Sequence, residues 1–488
     1  MRNSLGRALW CVGIVSAGLA SGCSLVPDYQ RPQAPVAAAY PAGPAYVRSD
    51  SVGARAASET GWRDFFADPR LQELIAIALE NNRELRTAIL NVELLRAQFR
   101  IESAPLFPQV TASASRTRSR VPTQLAFAGT ADGLQRDEYS VGAALAWEID
   151  LFGRLRSLKA AALEQYLASV QARKGAEILL VSQVADQYLI MVANDELLEV
   201  TQRTLGVALA SFELVKLQFD TGVATELDLR QAETVVEQAR SNRLAQLRAR
   251  AQAENGLVLL LGQPLTAAAT PATRLDEQRL LADIPSGVPS ELLNRRPDVL
   301  QAEALLRSAN ANVGAARAAF FPFISLTGSG GTASTSLNDL FKAGSAAWSL
   351  SPAIDLSVFD AGANAANLDA ARVASEIGIA RYQLTIQTAF REVADGLAAR
   401  GTFDQQIRSL ESLTAAQRRR LELAQLLYRN GQASYLDVLT AQTDLYDAEL
   451  VLVAARLQRL TNLVDLFRAL GGGWLERTGD KPRTGDAK

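Results

Sequence analysis

The sequence predicts a mainly α-helical protein with a small β part, arranged as two internal structural repeats. Apolar residues recur every three or four positions over very long stretches, which is typical of helices that pack along each other. Four shorter segments alternate apolar and polar residues, as strands with two different faces do. The same order of features occurs twice within the 488 residues, which indicates an internal repeat.

The first residues have the pattern of a secretory signal. Arg2 and Arg7 precede an apolar stretch over 8–19 that is too short to span a bilayer comfortably. Small residues then lead directly into Cys23, an arrangement that resembles the bacterial lipobox, in which the cysteine becomes the lipidated first residue. We therefore expect a signal peptide over 1–22 and diacylglycerol and N-acyl lipid on Cys23. Ordinary cleavage beside an incidental cysteine is the alternative.

Composition excludes several classes of function. The chain has no histidine, and its two cysteines, Cys11 and Cys23, both lie at the extreme N-terminus. We therefore predict no catalytic residue, no metal site, no disulfide framework and no cofactor besides the lipid. The 50 basic and 52 acidic residues are nearly balanced, which gives no electrostatic footprint for nucleic acid.

Membrane insertion is expected through strands. After Cys23 no run of 18 apolar residues appears, so no transmembrane helix is predicted, and Ser24 at the next position fits sorting to the outer membrane. Each alternating segment has about the ten residues that a tilted barrel strand needs, although a soluble sandwich with one wet face shows the same alternation. Four strands cannot close a barrel, and an open edge is not tolerated in lipid. Two copies would supply about eight strands and three about twelve.

Composition and periodicity give the order of the segments. The stretch after Cys23 is rich in Pro, Ala and Gly, as tethers are, and Pro108 in the first repeat matches Pro322 in the second. A helix over 154–220 would be roughly 100 Å long, so other helices must pack along it. The expected bounds are a tether over 23–60, a first repeat over 61–262 with strands at about 107–119 and 138–150, a linker over 263–284, a second repeat over 285–470 with strands at about 321–331 and 346–358, and a tail over 471–488.

Six stretches resemble one known family, the outer-membrane efflux proteins, and within it the lipidated NodT and OprM subgroup. They are distributed over nearly the whole mature chain, which makes the set more specific than any single match. The stretches are CSLVPDYQRP at 23–32, WRDFFADPRLQELI at 62–75, WEIDLFGR at 147–154, IPSGVPSELLNRRPDVLQAE at 284–303, AARAAFFP at 315–322 and YRNGQASYLDVLTAQ at 428–442.

The resemblance implies a TolC-like homotrimer, in which each chain gives four strands to a twelve-stranded barrel in the outer membrane and the helices form an α-barrel in the periplasm. It also implies a passive exit duct that docks with a periplasmic membrane-fusion adaptor and an inner-membrane pump, often of the resistance-nodulation-division class. The choice of three copies over two comes from this resemblance alone. The exported substrates do not follow from it.

The resemblance further implies a gate at the periplasmic end, near two helix breaks that contain Gly222 and Gly431. In both breaks an acid, Asp228 or Asp437, lies six residues after the glycine. Three copies would arrange these carboxylates as acidic rings. Thr-x-x-Asp and Ser-x-x-Asp also fit a helix capping box, which would explain both acids without a gate. Tyr428 could donate a hydrogen bond across an interface or pack as an apolar residue.

Two positions depart from the family's gate pattern. Thr440 stands where a second acid is often found, and Ala433 where a basic residue is expected. The stretches 123–137 and 331–344 are expected to be extracellular loops because they are rich in Gly, Ser, Thr and Asp. The main alternative function is a lipid-tethered coiled-coil scaffold with a soluble β domain. An enzyme is poorly supported, since no nucleophile, metal cluster or phosphate loop is visible.

Overall fold

The structure is a computed structural model that describes residues 24–46, 56–120, 135–265, 274–281 and 289–480. The chain divides into two compact units, to both of which the longest helices contribute. The first unit comprises 1–33, 92–169 and 302–382, and the second unit comprises 34–91, 170–301 and 383–488.

The described elements occur in nearly the same order twice, as helices, two strands and two long helices. They are α1 (Trp62–Phe65), α2 (Pro69–Asn81), α3 (Arg83–Ser103), β1 (Gln109–Arg120), β2 (Gln135–Glu148), α4 (Arg154–Asp220), α5 (Glu226–Leu261), α6 (Pro289–Arg295), α7 (Pro297–Ala318), β3 (Phe323–Ser334), β4 (Ala346–Asp355), α8 (Ala363–Arg429) and α9 (Tyr435–Ala469).

The strands of the first unit form one antiparallel sheet in the order β1-β2-β3-β4. Their ends lie within three residues of the expected ones. The expected loop at 331–344 is shorter, because β3 continues to Ser334 and pairs there with Tyr139. Of the expected loop at 123–137, the part over 123–134 lies outside the described residues, and the remainder belongs to β2 because it pairs with the end of β1.

The two faces of this sheet differ in chemistry. Register places Val141, Leu145 and Leu350 on one face and Ser140 and Ser349 on the other. On the polar face, hydroxyls pair across strands, as in the 2.8 Å contacts of Ser115 Oγ with Ser140 Oγ and of Ser329 Oγ with Ser349 Oγ. On the apolar face the large side chains remain exposed; the exposed fractions are Trp348 81%, Ile354 70%, Val110 66% and Leu350 60%. A soluble sandwich would bury this face, so the alternation is not that of a sandwich with one wet face.

The segment after Cys23 lies along α7. Glu303, Asn310 and Arg317 are spaced by seven residues on α7 and therefore share one face of the helix. This face binds the extended segment through side chains. The bonds are Asn310 Nδ2 to Pro27 O at 2.8 Å, Arg317 Nη1 to Leu25 O at 3.3 Å, Arg31 Nε to Glu303 Oε1 at 3.0 Å and Tyr29 OH to Glu303 Oε1 at 3.3 Å.

The core of the second unit forms where the short N-terminal helices meet the long ones. Phe65 stacks on Phe467 with ring centroids 4.0 Å apart, and Trp62 is 2% exposed. Asp68 caps α2 by accepting from Arg70 N, and its other oxygen accepts from the buried Tyr188 hydroxyl at 2.6 Å. Burial of these rings stabilises the unit, since each aromatic removes a large apolar area from water.

Helix α4 follows the predicted apolar stripe, but one chain buries only some residues of that stripe. Val184, Tyr188 and Met191 are fully buried, whereas Leu163 and Leu209 are more than a third exposed. Among the described residues, α4 also contains an 18-residue window apolar enough in composition to cross a membrane, although no such helix was expected. Of that window 61% is buried inside the chain, which is the pattern of a core helix.

Candidate functional site

The first of the two helix breaks expected at the gate is a helical hairpin in the second unit, where α4 is joined to α5. Gly222 follows the end of α4 with φ 76°. Its N–H donates to Phe219 O at 2.9 Å, and Val223 N–H donates to Gln218 O at 2.8 Å. These two bonds are a Schellman motif, which needs a residue in the left-handed region and therefore favours glycine.

The second hairpin, between α8 and α9 of the same unit, repeats this geometry. Gly431 has φ 72° and donates to Tyr428 O at 3.0 Å, while Gln432 N–H donates to Leu427 O at 2.9 Å. A Cβ added at Gly222 or Gly431 would meet nothing within 4 Å. The backbone dihedral, and not crowding, therefore requires glycine at both helix breaks.

A capping box begins the helix that follows each break. In the first, Asp228 N–H donates to Thr225 Oγ1 at 3.2 Å, and Asp228 Oδ2 accepts from Thr225 N at 3.0 Å. In the second, Asp437 N–H donates to Ser434 Oγ at 3.3 Å, and Asp437 Oδ2 accepts from Ser434 N at 3.0 Å. Both acids therefore cap helices, as one of the two interpretations of the sequence held.

Asp437 is held as a charged group at the surface. The Ser434 hydroxyl donates to its Oδ2 at 2.7 Å. The pKa of Asp437 lies below its ordinary value, and this bond is the largest cause. The bond from the Ser434 amide and the charge of the nearby Arg420 guanidinium lower the pKa further. The carboxylate is solvent-exposed, so its charge is available to the space beside the hairpin.

The two hairpins pack on each other through a shared apolar cluster that includes Val215, Ala232, Tyr435 and Val438. Tyr428 lies at the edge of this cluster and donates its hydroxyl proton to Gln218 Oε1 at 2.5 Å. Within one chain the hydrogen bond of Tyr428 thus joins α8 to α4. Burial raises the pKa of Tyr428, and it raises the pKa of Tyr435 to about 12, so both remain donors at neutral pH.

Sequence reasoning missed the charge pair beside Asp437. Arg420 of α8 forms an ion pair with Asp444 of α9, so a base is present even though Ala433 is apolar. Thr440 donates to Leu436 O of its own helix at 2.9 Å. Three consecutive arginines occupy 418–420, and a run of equal charges does not reveal which member faces the neighbouring helix.

The predicted lipidation site, Cys23, lies outside the described residues, as does the signal peptide over 1–22. Lipidation therefore stays a prediction. The first described residue, Ser24, directly precedes the segment bound along α7.

Comparison with known proteins decides the family. The sequence profile of the outer membrane efflux protein family matches residues 74–263 and 288–472. The chain belongs to this family. The matched segments begin later than the expected repeats over 61–262 and 285–470, and they end within two residues of them.

Two relatives and one solved structure show how far the similarity extends. The toluene efflux pump outer membrane protein TtgC and the antibiotic efflux pump outer membrane protein ArpC, both of Pseudomonas putida, are each 46% identical over 465 residues, covering 95% of this chain and 96% of theirs. The open state of the Neisseria gonorrhoeae MtrE outer membrane channel is similar with a TM-score of 0.83 and 38% identity, over 94% of this chain and 100% of that chain.

These findings confirm the family, the TolC-like fold and the class of function. The chain is the outer membrane channel component of an efflux pump and is not an enzyme. It resides in the outer membrane and extends into the periplasm. As a member of this family, it works with an adaptor and an inner-membrane pump. The alternative of a coiled-coil scaffold is therefore wrong.

Proposed function

We propose that three copies of this chain join edge to edge into a twelve-stranded barrel that forms the outer-membrane part of the exit duct. The observation that carries this proposal is the open sheet, whose outer strands β1 and β4 pair on one side only in the described part of the chain. Unpaired backbone groups are costly in lipid, so the edges must meet those of other copies. The likeness to solved outer membrane channels supports three copies over two.

Exposed apolar residues on the helices support the same assembly. In a single chain they would contact water, whereas neighbouring copies or a docked adaptor tip would cover them. Those near the two hairpins have exposed fractions of 74% for Val223, 66% for Leu227, 62% for Leu217, 58% for Leu436 and 55% for Leu426.

The hairpins of the three copies form the periplasmic gate in this proposal. Capping and gating are compatible at Asp437, because both of the capping bonds that its side chain accepts use Oδ2 and the carboxylate remains exposed. Asp228 accepts both bonds from Thr225 through Oδ2 in the same way, but it is half-buried. Rings of these acids would attract cations and repel each other unless the hairpins or bound cations hold them.

The duct is attached to the membrane by lipid on Cys23, and its pump is of the resistance-nodulation-division class. Relatives at equal identity are named for toluene and for antibiotics, so the cargo is a range of small, largely apolar molecules. The polar face of the sheet fits broad passage, because its middle is lined by hydroxyl groups such as those of Ser115, Ser140 and Ser329. A strain that lacks its own outer membrane channel should regain toluene and antibiotic tolerance when this chain is expressed with its pump and adaptor.

Single-channel recording in planar bilayers tests the gate. Asp437→Asn removes the charge but keeps an oxygen that can accept the capping bonds, whereas Ser434→Ala removes the cap hydroxyl and keeps the charge. We expect Asp437→Asn to increase open-channel conductance and to weaken cation preference, and Ser434→Ala to leave both near the wild-type values. Equal conductance of all three proteins would show that Asp437 is a helix cap only.

A further inference from the structure

The end of β1 carries a row of arginines on the otherwise apolar face of the sheet. Arg116, Arg118 and Arg120 continue, at every second position, the face that begins with Val110. The arginines Arg116 and Arg118 have side chains that are 55% and 61% exposed. A basic row on the lipid-facing side needs an explanation, because charged groups there are destabilising except near the membrane surface.

The apolar residues of this face form a band across the sheet, which we call the apolar band. Register places the arginine row just beyond this band. The band runs along β4 from Ile354 to Ala346, which is about 27 Å of strand and about 20 Å of height at the usual tilt. Arg116 lies opposite Tyr139, one same-face position beyond the apolar pair of Ala114 and Val141. The arginines therefore lie at the level of lipid headgroups and not of acyl chains.

The row lies at the extracellular end of the sheet. Helix α3 leads into β1 and β2 leads into α4 at the opposite end, and the helices are the periplasmic part of the protein. Tyr139 lies under the Arg116 guanidinium, which is 5.3 Å from the ring centroid. An aromatic ring at this height is typical of the interfacial girdle of membrane barrels.

Asp137 is the acid of β2 that lies opposite the row, and its contacts with the row are long. Arg116 Nη2 and Arg118 Nε approach the same oxygen of Asp137, Oδ1, at 3.4 and 3.6 Å. Both distances exceed those of tight charge-assisted bonds, which are about 2.7–2.9 Å. Among the described residues of the β1–β2 pair, Glu138 points to the other face, opposite Thr117. On the lipid-facing side, the guanidinium groups of Arg116 and Arg118 thus share the carboxylate of Asp137.

We propose that Arg116, Arg118 and Arg120 bind the phosphate groups of the phosphorylated glycolipid of the outer leaflet, lipid A. Guanidinium groups bind phosphate oxygens through paired hydrogen bonds. Successive arginines in the row are about 6.6 Å apart and the row spans about 13 Å, so it can contact a headgroup that carries more than one phosphate. The adjoining apolar band packs against the acyl chains of the same molecule, which a free phosphate ion lacks.

Native mass spectrometry of the purified full-length protein tests this proposal, with bisphosphorylated lipid A and the same lipid without phosphates as probes. The test variant is the triple Arg116→Gln, Arg118→Gln, Arg120→Gln. The single variant Arg118→Gln is measured as well, so that the test remains decisive if the triple variant does not assemble. Arg136→Gln is the matched control, because Arg136 lies at the same end of β2 but on the opposite face.

We expect the triple variant to bind bisphosphorylated lipid A about tenfold or more weakly, Arg118→Gln to show a smaller loss, and Arg136→Gln to bind as the wild type does. Binding of the dephosphorylated lipid should be equal in all proteins. Unchanged binding by the triple and single variants would overturn the proposal. An equal loss in Arg136→Gln, or full competition by inorganic phosphate at the concentration of the lipid, would also overturn it, because the site would then be general positive charge or a free-anion site.

Discussion

At the scale of the residue, Asp186 on α4 has a carboxyl group that the fold largely shields from water. Its Oδ1 is buried and has no hydrogen-bond partner among the described residues. Burial, and then the nearby charge of Asp465, raise the pKa of Asp186 from 3.8 to about 7, although Arg468 acts in the opposite direction. The folded protein therefore holds this proton over a pH range in which the unfolded chain releases it.

This pKa difference predicts the pH dependence of stability. Between about pH 4 and pH 7 the folded state binds the proton and the unfolded state does not, so the contribution of Asp186 to stability falls as pH rises. Asp186→Asn stays neutral at every pH and should be more stable than the wild type by roughly 2–4 kcal/mol above pH 7. Thermal unfolding at pH 5 and pH 8 measures the difference. Asp369→Asn, at an exposed position of α8, serves as the control, and a variant no more stable than the wild type at pH 8 would contradict the assignment.

The capping boxes show where local sequence was informative at this scale. Thr225 and Asp228 are three residues apart, and so are Ser434 and Asp437, and this spacing alone predicts the reciprocal bonds that the structure shows. The ion pair of Arg420 with Asp444 could not be predicted in this way. Its two residues are far apart in sequence, and their contact depends on how α8 and α9 pack.

At the scale of the element, Arg296 links the start of α7 to the long helices α8 and α9 through hydrogen bonds. Its side chain is 7% exposed. It donates to Asp298 Oδ2 at 2.6 Å, to Glu392 Oε2 of α8 at 2.8 Å and to Ala469 O of α9 at 2.9 Å. One guanidinium therefore satisfies two carboxylates and a helix-terminal carbonyl, which a neutral residue could not do.

Removal of this guanidinium should destabilise the helical unit. Arg296→Met should lower the free energy of unfolding by roughly 3–5 kcal/mol, because Glu392 and the Ala469 carbonyl would lose their donor in a largely buried place. Arg372→Met, which breaks only an exposed pair with Asp369, should change it by less than about 1 kcal/mol. Denaturant or thermal unfolding of both variants in detergent measures this, and equal effects would show that the Arg296 contacts contribute no more than a surface pair.

The hydroxyl group of Tyr428 joins the two hairpins through a hydrogen bond. Tyr428→Phe keeps the ring in the apolar cluster and removes only the bond to Gln218 Oε1. If this bond holds the hairpins together in the closed gate, the variant should open more often in planar bilayers while its unfolding free energy falls by only about 1 kcal/mol. Wild-type opening frequency would show that the tyrosine acts through packing alone.

The sequence predicted the strands and helix breaks well, and the N-terminal segment poorly. Period-two alternation, left-handed glycines and capping pairs are local signals, so each reveals its element without knowledge of the rest of the chain. The segment after Cys23 has the composition of a tether, yet it lies in an extended conformation along α7. Its partners, Glu303 and Asn310, are more than 270 residues away, and composition carries no information about such distant contacts.

At the scale of the whole molecule, the four-stranded sheet of one chain is incomplete. One face of the sheet is apolar and exposed, and its outer strands have open edges in the described part of the chain. Both features are unfavourable for a separate chain in water, and both disappear when copies close a barrel in lipid. The alternation of apolar and polar residues does not predict the number of copies, because eight strands and twelve strands can both close a barrel. The similarity to known channels supports twelve strands.

The most direct test of this account is the mass and solubility of the Cys23→Ala protein, which lacks the lipid anchor. After membranes are washed with high salt, the variant should stay in the membrane fraction, require detergent for extraction, and have a light-scattering mass of three chains after subtraction of the detergent. A monodisperse monomer that is soluble in buffer without detergent would contradict the account, because the apolar face and the open edges would then need neither lipid nor further copies.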